Sequence, residues 1–110
     1  MGQPTQQPFS LDDLDEIIKS RAAASADSSY TKSLLDRGQV HCARKFGEEA
    51  VEFVIATTQA DSAAITAEAA DVVYHLLVAL QASKVPLEKV LGELQRRTGM
   101  SGHEEKAARG

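Results

Sequence analysis

The chain has 110 residues, 43% of them apolar and 25% charged, and carries a net charge of −4. That is the size and balance of one soluble globular domain with a single core. The acidic excess argues against a general binder of nucleic acid or anionic membranes, and the one cysteine, Cys42, excludes an internal disulfide framework and a thiolate metal site.

Residues 1–9 are polar and rich in proline and glutamine, and are expected to be disordered or weakly ordered. The start MGQPTQQPFS has neither the cationic nor the apolar region of a signal peptide, and no apolar stretch reaches the roughly 18 residues of a membrane span. No membrane partner and a cytoplasmic location are expected. Ser10 followed by Asp13 predicts a capped helix start, continued by the stripe Leu11, Leu14, Ile17 and Ile18. SADSS at 25–29 reads as a loop. Tyr30 to Asp36 gives one or two helical turns, broken near Gly38. A long helix is predicted from about Gln39 to Thr58, and a second, capped by Asp61 or Ser62, to about Ser83. Pro86 fits the first turn of a short last helix ending near Thr98. The fold class is all-α: one domain over 10–107, a helical bundle built around an antiparallel hairpin of the two long helices.

Five carboxylates interrupt the two most apolar runs. At about 100° per residue, Lys45, Glu48, Glu49 and Glu52 share roughly a third of the first long helix, and Glu68, Asp71 and His75 share a narrow stripe of the second. Apolar residues fill most of the rest, so both helices are expected to be buried with their acids buried or half-buried. Unpaired carboxylates there would cost several kcal/mol each, and too few cations stand nearby to pair them. A hairpin turning near residue 60 sets Glu52 level with Glu68 and Glu49 level with Asp71, so four carboxylates can converge on one point. Oxygen-only ligands suit Mg²⁺, or Mn²⁺, and such a box grips and polarises phosphate oxygens. A single E-x-x-E pair is usually a solvated face; two in mirror register inside apolar helices are not. Glu48, at the edge of its stripe, can be a further ligand, a water-orienting base or a surface acid. Lys45 can be a helical partner of Glu49 or a phosphate-binding cation. His75 can be a core or interface histidine or a substrate contact.

The pattern KFGEEAVE followed by EAAD resembles the MazG-like all-α nucleoside triphosphate pyrophosphatases. Within them, SSYTKSLLDRG, EAADVVYHLLVAL and the late SGHEEK resemble the phosphoribosyl-ATP pyrophosphatases of histidine biosynthesis, over roughly residues 10–107. Phe46 stands where an aliphatic residue is commoner, a difference expected to touch packing rather than chemistry. No cyclohydrolase domain accompanies these motifs, so the stand-alone form is expected. The resemblance implies hydrolysis of phosphoribosyl-ATP to phosphoribosyl-AMP and pyrophosphate. It implies Mg²⁺ on Glu49, Glu52, Glu68 and Asp71, with Glu48 completing the box or orienting the water. Lys45 and Lys32 would steady phosphates. Ser29, Tyr30, Thr31, Arg97, Ser101, Gly102 and Lys106 are candidates for the sugar and 5′-phosphate end, and His75 for a supporting place behind the ligands. Three alternatives stand beside this: a housecleaning nucleoside triphosphate pyrophosphatase, a di-iron carboxylate bundle, and a metal-free interaction module.

The short helices cannot cover two central ones that are apolar almost all round. A homodimer is expected, with Val73, Leu77 and Leu80 as candidate contacts and Tyr74 or His75 at the edge. The second chain is then expected to supply substrate contacts from 29–32 or 97–106.

Overall fold

The computed structural model describes residues 7–25 and 29–99. Five helices follow in order: α1 (Leu11–Ala22), α2 (Tyr30–Asp36), α3 (Gln39–Gln59), α4 (Ser62–Ala82) and α5 (Leu87–Thr98). Among the described residues there is no strand, and the class is all-α as expected. Of the expected weakly ordered start, residues 1–6 lie outside the described residues, as does the domain's end at 100–107.

Local chemistry sets most of the boundaries. The Ser10 hydroxyl accepts from the Asp13 amide at 3.0 Å and the Asp13 carboxylate accepts from the Ser10 amide at 3.0 Å, a reciprocal cap that satisfies two amides at the start of α1. Gly38 turns the chain from α2 into α3 at φ +96°, a region that side chains rarely enter. Asp61 caps α4 by accepting from the amides of Ala63 and Ala64. Pro86 is the cap residue itself and Leu87 opens α5, one position later than expected.

The two long helices are joined by Ala60 and Asp61 alone and pack against each other more extensively than any other pair. Their far ends meet too, where the Gln39 amide donates to the Ser83 hydroxyl at 3.1 Å. Ala60 closes α3 in the left-handed region at φ 55°. A Cβ there costs roughly 0.5–1 kcal/mol relative to glycine. Ala60→Gly should therefore raise stability by about that much, read as a higher urea midpoint at unchanged slope.

Every helix contributes to the core: Ile18 from α1, Leu34 from α2, Cys42 from α3, Leu77 and Val78 from α4, Leu87 from α5. The Cys42 thiol donates to the Leu34 carbonyl, and burial pushes its pKa up. Two expectations need correction. By length and composition α4 is apolar enough to cross a membrane; it instead packs along α3 and supplies Leu77 and Val78, the role of a core helix. Leu77, expected at a subunit contact, is 1% exposed within its own chain, and Leu80 packs against the same core. The side of α3 that stays open carries Val51, Val54 and Ile55, at 57%, 58% and 46% exposure. The long helices are thus not buried all round in one chain.

Candidate functional site

Spacing along α3 explains how a carboxylate comes to face inward. Cys42, Glu49 and Ala56 lie seven residues apart, two turns each, and so share one side of the helix. Cys42 and Ala56 are buried. Glu49, between them, takes a core position with its side chain 21% exposed. On α4 the same step relates Glu68 to the buried His75 and Asp71 to the buried Val78. On α3 the acid is thus flanked by buried apolar positions on both sides, while on α4 the acids lie one step nearer the connection than the buried residues; Asp71 itself is exposed, contrary to the expectation that all the acids would be at least half-buried.

One oxygen each from Glu49, Glu68 and Asp71 lies within 4.8 Å of the others. Glu52 stands beside this triad rather than in it, exposed on α3, and lines an open cleft with Ile55, Ala56, Gln59, Ala64 and Glu68. Burial pushes the Glu68 carboxyl above the usual range, and Asp71, Glu52 and Glu49 push it further. Its Oε2 is buried without a hydrogen-bond partner. The nearest ammonium is that of Lys45, 4.0 Å from Glu49 and 3.3 Å from Glu48. Glu48 has a 56% exposed side chain at the rim. Three carboxylates this close, one with an unsatisfied buried oxygen, call for a proton or a cation among them. The all-oxygen donor set fits a hard divalent cation.

His75 stands one turn behind, 5% exposed, with Nε2 at 4.0 Å from Glu49 and Nδ1 buried without a partner. Burial pushes its pKa down, against the opposing pull of Glu49, so the ring is neutral at pH 7. Thr31 is fully buried and its hydroxyl hydrogen-bonds that of Tyr74 at 2.5 Å. Tyr30 is 58% exposed. Ser29 caps α2, accepting from the Lys32 amide, while Lys32 itself pairs with Asp36.

Arg97 is not drawn into the cluster. It binds Glu93 on its own helix at 2.9 Å, and hydrogen bonds from Arg96 and Arg97 pull the Glu93 pKa down to about 2. The cleft it lines is made by Val85, Lys89, Val90, Glu93 and Leu94, with no residue of α3. Ser101, Gly102 and Lys106 lie outside the described residues. One feature escaped the sequence reading: Arg37, Arg44 and Lys45 all act on His41, whose pKa is lowered first by desolvation and then by these charges. The spacing i, i+4, i+7 and i+8 from Arg37 was the available signal.

Comparison with known proteins gives the family. The family model described as Phosphoribosyl-ATP pyrophosphohydrolase matches residues 11–98. A protein named Phosphoribosyl-ATP pyrophosphatase 1 from Bradyrhizobium diazoefficiens is 55% identical over 101 residues, 92% of this chain and 95% of its own. One named Phosphoribosyl-ATP pyrophosphatase from Azorhizobium caulinodans is 54% identical over 105 residues, 96% of each chain. A third of that name, from Methylobacterium nodulans, is 55% identical over 92% of this chain and 94% of its own. With the family model spanning nearly all of its helices and relatives this similar end to end, the chain belongs to the phosphoribosyl-ATP pyrophosphohydrolase family.

Proposed function

We propose that the protein hydrolyses phosphoribosyl-ATP to phosphoribosyl-AMP and pyrophosphate with the help of Mg²⁺, the second step of histidine biosynthesis, in the cytoplasm and as a homodimer. The observation that carries the reading is the convergence of Glu49, Glu68 and Asp71 within 4.8 Å in a chain of this family.

The residues fit the ion. The buried, unpartnered Oε2 of Glu68 and the oxygen-only donor set are what Mg²⁺ requires, and Mn²⁺ is an acceptable substitute. Glu49, Glu68 and Asp71 would hold it, with Glu52 beside Glu68 within reach of a shift. When bound, the ion neutralises polyphosphate charge and lowers the pKa of bound water. The chain's own groups do the rest. Lys45, held between Glu48 and Glu49, presents its ammonium to a phosphate oxygen. Glu48, at the rim, orients the attacking water and accepts its proton. The water oxygen bonds to the α-phosphorus, the bridge to the β-phosphate breaks, and pyrophosphate leaves with the bridging oxygen. His75 stands behind Glu49 and limits its movement.

Lys32, Ser29 and Tyr30 stay in this reading as the substrate side of α2, while Thr31, fully buried against Tyr74, supports that side rather than touching the substrate, and Arg97, Ser101, Gly102 and Lys106 would act on the site of the partner chain. The test is pyrophosphate release from phosphoribosyl-ATP with Mg²⁺ and with chelator. Release should require the metal and should exceed that from any deoxynucleoside triphosphate in a panel. Turnover indifferent to chelation would sink the metal. A stronger preference for a deoxynucleotide would favour a housecleaning enzyme.

A further inference from the structure

The chain has two tyrosines and no tryptophan, and both tyrosines stand at one place. Tyr30, the first residue of α2, lies over Tyr74 of α4 with ring centroids 6.5 Å apart and planes 15° from parallel. The imidazole of His75 meets both rings edge-on, at 6.4 Å from Tyr30 and 5.0 Å from Tyr74. Tyr74 is fixed in turn by its hydrogen bond to the fully buried Thr31, the residue next to Tyr30. The Tyr30 ring is therefore supported from beneath and from the side, yet 58% of the residue is open. A tyrosine that merely filled space would bury its ring and leave its hydroxyl wet. Here a broad aromatic surface is held rigid and left uncovered.

Its neighbours say what that surface faces. His75 touches the ring and stands 4.0 Å from Glu49. The open ring is thus one side chain away from the carboxylates. A flat ring beside a phosphate-gripping cluster matches a nucleotide, in which a planar base is tethered to the phosphates by one sugar. Stacking on an aromatic face is how bases are held where hydrogen-bond donors are few. We propose that the open face of Tyr30 is the seat of the substrate's purine ring, with Tyr74 and His75 as its support. The assignment rests on the nucleotide reading given above, and it replaces the sugar or 5′-phosphate contact expected for Tyr30.

Both tyrosines being at the site, the protein's own emission reports on it. Excited at the red edge of the tyrosine band, where adenine absorbs little, the protein should be quenched saturably by AMP and not by ribose 5-phosphate at the same concentration. Kinetics separate ring from hydroxyl. Tyr30→Ser should raise KM for phosphoribosyl-ATP about fivefold to a hundredfold, the range for losing one base–aromatic stack, with kcat moving less. Tyr30→Phe, which keeps the ring, should restore KM to within about twofold. Circular dichroism confirms that both variants remain helical. Absence of saturable quenching by AMP, an unchanged KM in Tyr30→Ser, or a Tyr30→Phe as defective as Tyr30→Ser would each overturn the platform. Quenching by AMP in a protein that releases no pyrophosphate from phosphoribosyl-ATP would uphold the platform and refute the substrate.

Discussion

Asp71→Asn and Glu49→Gln should each lower pyrophosphate release more than about a hundredfold, beyond the usual cost of losing a group that merely supports a ligand. Each exchange keeps the shape of the side chain and removes one anionic oxygen donor from a triad whose members lie within 4.8 Å. Folding should survive, because the substitution relieves repulsion among partly desolvated carboxylates. The same argument gives a pH dependence. The Glu68 carboxyl titrates above its ordinary range in the folded chain. An acid whose folded pKa is raised destabilises the fold while ionised, so metal-free protein should gain stability as pH falls from neutrality through that raised value. The gain ends once pH drops below the ordinary carboxylate pKa, and Glu68→Gln should abolish it. Urea midpoints across that range read the effect. Near-normal turnover of Asp71→Asn and Glu49→Gln at saturating Mg²⁺ would remove the triad from the mechanism.

The second large effect concerns the open side of the long helices. Val51, Val54 and Ile55 are about half exposed on α3, and a groove of about 430 Å³ between α1 and α4 is lined by Phe9, Leu11, Leu14, Ala70 and Val73. Gly47 stands inside α3, where glycine costs about 0.5–1 kcal/mol against alanine, and nothing lies within 4 Å of where its Cβ would be. An apolar side with a bare turn of backbone just before it suits the close approach of another helix. Val54→Asp would place an unpaired charge there without touching the chain's own core. Wild type should scatter light as twice the 11.8 kDa of one chain. Val54→Asp should scatter as a single chain and lose at least about tenfold in activity, since burying an unpaired charge costs several kcal/mol. A wild-type mass of one chain across a hundredfold dilution, at full activity, would sink both the dimer and any site shared between subunits.

Much of this architecture was legible because it is written locally. The reciprocal cap of Ser10 and Asp13, the turn at Gly38 and the cap at Asp61 each depend on residues within three positions of one another. Three of the four acids expected to converge do so for a related reason, since helical spacing fixes which residues share a side, while Glu52 stands exposed beside them. What was missed depends on how helices cross. Leu77 reads as well for a subunit contact as for a core, and only the packing of α1, α2 and α5 around α4 decides it. The bond between Thr31 and Tyr74 spans 43 positions and has no signature in either segment. The arginines at 37 and 44 look, one at a time, like ordinary solvated charges.

The two-residue link between α3 and α4 also orders events as the chain folds. With only Ala60 and Asp61 between the helices, pairs of residues close in sequence of their distance from that point, like teeth of a fastener. Among the acids, Glu52 and Glu68 would come level first and Glu49 and Asp71 next, with Cys42 and then Gln39 and Ser83 closing after them. Like charges are therefore gathered before the apolar end that must hold them together is in place. In the absence of a counter-ion that stretch of the route should run uphill, so the carboxylates that the proposed chemistry needs would also slow the closing of the hairpin.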